Sequence, residues 1–98
     1  MLFNWFDAKE VEEFGISLAI FFTERIVLNP STRKIKSTSK KLEVISKMVV
    51  MIVKFRTSHK LNFYKKAKLG NAFKWHLLEL GYEKEFVDDL TKELVKKL

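Results

Sequence analysis

The chain has 98 residues, 47% of them hydrophobic, with no cysteine and a formal net charge of +7. That length fits one domain with one core, because dividing it would leave each half too little surface to bury. The lack of cysteine excludes disulfides, thiol chemistry and cysteine-ligated zinc or iron–sulfur sites, and the basic balance directs attention to acidic or polyanionic partners.

The opening residues Met1 to Asp7 show no basic stretch followed by a long apolar one. No secretory leader is expected, and a cytoplasmic location stands as the default. Asp7 and Glu10 have the spacing of a capping box, and Phe6 and Val11 that of a hydrophobic staple, so a helix is expected to begin there. From Val11 the apolar residues Phe14, Leu18, Phe21, Phe22 and Ile26 recur at three and four, with Glu12, Glu13 and Glu24 off the stripe. Pro30 stops this helix near Asn29. Phe3, Trp5 and Phe6 are expected to pack across the open end of the fold rather than to anchor in a membrane interface, since the nearby acids repel anionic lipid.

Residues 31–39 are nearly devoid of apolar side chains and read as an exposed basic loop, with one of Ser37, Thr38 or Ser39 capping a second helix. That helix carries Leu42, Ile45, Met48, Val49, Ile52 and Phe55 at helical spacing. Val44, Val50, Met51 and Val53 widen that face, which predicts the most buried, central helix of the fold. The β-branched run at 49–53 also suits a strand, but no second strand is there to pair with it. The longest apolar run, Met48 to Val53, is bracketed by Lys47 and Lys54 and falls far short of the roughly 20 residues needed to cross a bilayer.

Asn62 is placed to cap a third helix with Ala67, Gly70, Phe73, Leu77 and Leu80 on one side. Gly81 ends it as a left-handed C′ residue, with Tyr82 folding back toward Leu77. The last helix buries Phe86, Val87, Leu90 and Leu94 and carries acids early and lysines late, which suits its dipole. Gly15 and Gly70 are read as places where two helices pack closely. The expected fold is therefore all-α: a compact single-domain bundle of four helices at about 8–28, 40–57, 63–80 and 84–97, spanning residues 1–98 with a basic loop at about 30–39.

Charge is distributed unevenly along that plan. Residues 1–30 hold two basic and five acidic groups, residues 31–70 twelve and one, and residues 71–98 five and six. Arg33, Lys40, Lys47 and Lys54 repeat every seventh residue, and Lys40 to Lys54 would form a line about 21 Å long on one side of the second helix. With Lys36, Lys60, Lys65, Lys66 and Lys68 they are the candidate polyanion-binding set, and Phe63 and Tyr64 could stack on unpaired bases. The plainer reading is that these lysines solvate the outer side of a buried helix, with Glu43 and Lys47 as an ordinary pair. Trp75 lies off the main stripe of its helix and is expected to be partly uncovered, a candidate partner contact.

No motif specifies a reaction. His76 and Glu79 could give two ligands to a metal, but no further cluster is spaced to complete the site. His59 stands alone in a basic segment, and Asp88 and Asp89, being adjacent, diverge on a helix. None of the three glycines belongs to a phosphate-binding loop. The expectation is a non-enzyme with no cofactor, no metal site and no small-molecule ligand: a small protein-interaction module, self-associating or bound to another protein. The alternative is sequence-nonspecific binding to nucleic-acid backbone through residues 33–68. The two differ in what breaks them, namely Trp75 and exposed apolar positions for the first and Lys40 with Lys47 for the second.

Overall fold

Helix-forming patterns dominate the chain, and a computed structural model describes the backbone of residues 2–26 and 38–98, with side chains for 9–26 and 39–98. Among the described residues there are four helices and no strand: α1 (Leu2–Arg25), α2 (Thr38–Ser58), α3 (Phe63–Glu79) and α4 (Lys84–Lys96). The all-α four-helix reading is correct. The basic loop expected at 30–39, with Arg33 and Lys36, lies almost wholly outside the described residues, as do the side chains of Phe3, Trp5 and Phe6.

The start of α1 differs from expectation. The helix begins at Leu2, not near residue 8, so Asp7 sits inside it and is not its N-cap. No proline or glycine precedes Gly15, and nothing in the backbone requires an interruption there. The predicted stripe of α1 holds, with Val11, Leu18, Phe22 and Ile26 buried.

Two local signals in α3 act as expected. The Asn62 side chain accepts from the Lys65 amide at 2.8 Å, capping the first turn. At the other end Gly81 adopts φ 93°, the Gly81 amide donates to the Leu78 carbonyl at 3.0 Å and the Tyr82 amide to the Leu77 carbonyl at 3.2 Å. Those two bonds are the paired closure of a Schellman motif, and they turn the chain back so that α4 runs antiparallel to α3. The buried side of α3 is Leu69, Phe73 and Leu77, with Gly70 covered too. Ala67 and Leu80, expected on that side, are exposed.

Both helical glycines are contact points. A Cβ on Gly15 would lie 2.5 Å from the Leu69 carbonyl oxygen, so α1 and α3 meet backbone to backbone there. On Gly70 it would lie 2.9 Å from a Val95 methyl of α4. The α1/α3 pair is consequently the densest contact in the fold. This corrects the expectation that α2 is the central helix. Among the described side chains of α2 only Val44, Met48 and Ile52 are fully buried, at a strict spacing of four, with Ile45, Met51 and Phe55 partly buried against the core, while Leu42, Val50 and Val53 face outward. A run of consecutive apolar residues spreads around the whole circumference of a helix, and α2 has neighbours on only part of its own.

Aromatic contacts hold the two ends. Phe22, Tyr82 and Phe86 form a cluster with ring centroids 5.9 to 6.2 Å apart, and the Tyr82 hydroxyl donates to the Ile26 carbonyl at 3.3 Å. Burial raises the Tyr82 phenol above its ordinary pKa. Toward the other end Phe14, Phe55 and His59 stack in sequence, each pair of centroids 4.1 Å apart.

Candidate functional site

The proposed lysine set is only partly a surface. Lys40 and Lys47 both reach the carboxylate of Glu43, at 3.9 and 3.4 Å, so one acid serves two members of the line. Lys54 and Lys60 are exposed and Lys66 is half-buried. Lys68 pairs with Glu12 of α1 at 3.6 Å. Lys65 is buried, and its ammonium donates to the Lys60 carbonyl at 3.2 Å, which removes it from the polyanion-facing group. A long side chain can lay its methylenes on apolar surface and return its head to a local carbonyl, a choice that spacing does not reveal.

Exposed aromatics divide between two places. Phe63 is 89% exposed at the N-terminus of α3, beside the exposed Tyr64. Trp75, 60% exposed, lies elsewhere, on the rim of an open cleft of about 350 Å³ between α1 and α3. Glu12, Ile16, Lys68, Ala72, His76 and Glu79 complete most of its lining. His76 and Glu79 do share that cleft, yet no group of three or more His, Asp or Glu placed to hold a metal exists among the described residues. Lys74 sits 6.0 Å from the Trp75 ring centroid and pairs with Asp88 of α4 at 3.1 Å. Next to the cleft Ile20 is also exposed, and Glu13 and Glu24 border the pair Ile16 and Ile20 along α1.

A second surface lies on α2, where the sequence pattern predicts core. Leu42, Ser46, Val49 and Val53 recur at four, three and four along the helix, with Val50 beside them, and none is charged. Leu42 is 60% exposed, Val50 54% and Val53 40%. Val50 stands between Lys47 and Lys54, at three and four residues. On the far side Ile45 and Val49 line a cleft of about 330 Å³ with Glu93, Leu94 and Lys96 of α4 and with Lys97, its C-cap. Arg56 of α2 donates to the Lys97 carbonyl at 3.0 Å. The strip is thus apolar along its centre and mainly cationic on both borders. In sequence its residues are as apolar as core residues, so pattern alone does not tell the two apart.

His59 is not isolated, as the sequence suggested. Its Nε2 lies 2.7 Å from the Glu10 carboxylate and its Nδ1 3.2 Å from the Phe55 carbonyl, while the ring stacks on Phe55. It therefore ties the end of α2 to α1. No helix among the described residues is long and apolar enough to cross a membrane. No known protein family matches the chain, and no curated protein or solved structure does.

Proposed function

We propose that this chain is a non-catalytic protein-interaction module, and that the outward strip of α2 is its principal binding face. The observation that carries this reading is the exposure of Leu42 and Val53 in one uncharged row, with Val50 beside it, on the helix whose backbone packs least closely against the others. Leaving such a row in water forgoes roughly 25 cal/mol for each Å² of apolar surface, which a partner helix would recover. The borders keep a cationic excess, with Lys54, Arg56, Lys96 and Lys97 beside the Glu43-paired Lys47 and with Glu93, which favours acidic surfaces and steers their approach.

Binding to nucleic-acid backbone through residues 33–68 is the weaker reading. The inward turn of Lys65 and the pairing of Lys40, Lys47 and Lys68 with acids reduce the charge available to phosphates. Exposed Phe63, Tyr64, Lys54 and Lys60, with half-buried Lys66, are what remains in its favour.

A photo-crosslinking amino acid placed at Val53, and separately at exposed Asp89, tests the proposal in the cells that make the protein. The expected result is a discrete protein adduct from position 53 that Leu42→Glu abolishes, with none from position 89. Equal adducts from both positions, or none from 53, would overturn it. Nucleic acid crosslinked from Phe63, with no protein adduct from Val53, would favour the weaker reading instead.

A further inference from the structure

We infer that the partner of the α2 strip is a second copy of the chain, docking through its α1/α3 face in a head-to-tail contact. This rests on the α2 strip being a binding face and adds what binds there.

Two exposed surfaces of the fold are complementary in chemistry. The α2 strip has Leu42, Val49, Val50 and Val53 at its centre and Lys47, Lys54, Arg56, Lys96 and Lys97 around it, against two acids, Glu43 and Glu93. Ile16, Ile20 and Trp75 form the centre of the other surface, with Glu12, Glu13, Glu24 and Glu79 around them, of which Glu12 pairs with Lys68 and Glu24 with Arg25 while Glu13 and Glu79 add further negative charge. Their lengths also agree, since Glu12 to Glu24 covers about 18 Å of helix and Lys40 to Lys54 about 21 Å. Pairing α2 with a second α2 would instead set the Lys40, Lys47 and Lys54 rows near each other, with one Glu43 per chain to offset them.

Position in the fold decides the kind of assembly. The strip lies on the side of α2 turned away from Val44 and Met48 and borders α4 through Val49, whereas the cleft near Trp75 is lined by residues of α1 and α3 alone, so the two surfaces share no residue. One copy can accordingly use both surfaces at once. A contact between two different surfaces is heterologous, so it leaves a free face at each end and adds further copies instead of stopping at two. Each contact is small, and its strength belongs with weak, transient interfaces, in the micromolar range or looser, at about 1,000 Å² buried or less.

Sedimentation velocity with two charge-reversed full-length chains tests this. One carries Lys47→Glu and Lys54→Glu, and the other Glu13→Lys and Glu24→Lys. All four positions are exposed, so circular dichroism should show both variants as helical as the wild type. The wild-type chain is expected to show an average mass that rises with concentration beyond dimer up to about 500 µM, and to lose this at high salt. Each variant alone should associate at least about tenfold more weakly, because like charges now meet across the contact. An equimolar mixture should recover association, since each surface then finds a partner of opposite charge. A wild-type chain that stays monomeric, a mixture that stays monomeric, or a variant that associates alone as well as the wild type would each overturn the inference. A Val53 adduct with a different protein, together with a monomeric purified chain, would overturn this inference and leave the α2 binding face standing.

Discussion

Helices α2 and α3 carry comparable apolar content, yet the fold uses them in opposite ways. α3 touches both α1 and α4 through glycines that admit no side chain, and it buries Leu69, Phe73 and Leu77 completely. α2 buries Val44, Met48 and Ile52 and packs Ile45, Met51 and Phe55 against the core, with Phe55 stacked on Phe14 and the Lys41 ammonium 5.2 Å from the Phe86 ring centroid, but its backbone approaches the other helices less closely. One helix stabilises the domain by packing closely on two neighbours, although its outer side exposes Phe63, Tyr64 and Trp75. The other presents apolar surface that the domain leaves uncovered, and that difference separates residues that hold the fold from residues that can bind a partner.

Substitutions on the two helices should therefore separate stability from association. Phe73→Ala is expected to have the largest effect, a loss of about 3–5 kcal/mol in urea unfolding, because it removes a fully buried ring from between well-packed neighbours. Gly15→Ala should cost about 1–3 kcal/mol, since its methyl meets the Leu69 carbonyl and forces α1 and α3 apart. Little or no loss on that substitution would break the claim that this pair forms the densest part of the core.

Tyr82→Phe should cost about 0.5–1.5 kcal/mol at neutral pH through the lost bond to the Ile26 carbonyl. It also has a pH signature. Because burial raises the folded-state pKa of this phenol, its contribution is complete below the unfolded value of 10.0 and is lost as the pH climbs through the raised folded value. The wild-type chain should lose stability over that alkaline window, and the Phe variant should lose less. Smallest of all, Leu42→Gln combined with Val53→Gln should change unfolding free energy by about 0.5 kcal/mol, as Leu42 is mostly in water and Val53 lies at the surface, 40% exposed. The same pair should abolish association, which would sharpen the contrast between the helices.

Much of the fold was legible in the sequence wherever one residue type has one physical use. Gly81 before Tyr82 could only end a helix, Asn62 was suited to capping, and the apolar stripe of α4 had one possible inner side. Less legible was α2, because apolar residues on all sides do not say which side meets a neighbour. Asp7 resembled a cap although the helix simply continues past it. The Glu10–His59 contact joins residues 49 positions apart, a pairing that no local spacing encodes. For the candidate site, the exposure of Phe63, Tyr64 and Trp75 was foreseen. The inward turn of Lys65 was not, since it depends on the path of one flexible side chain back to Lys60.

Hydrogen–deuterium exchange measured across a dilution series tests the central claim most directly, because helices held by few contacts open more readily than those in a packed core. At low concentration the amides of α2 should exchange well before those of α3. On raising the concentration, protection should grow in α2 and in residues 12–24 of α1, while Leu69 to Leu77 stay unchanged. An α2 as protected as α3 at the lowest concentration, with no dependence on dilution, would contradict the account: α2 would then be an ordinary core helix, and its apolar strip no binding face.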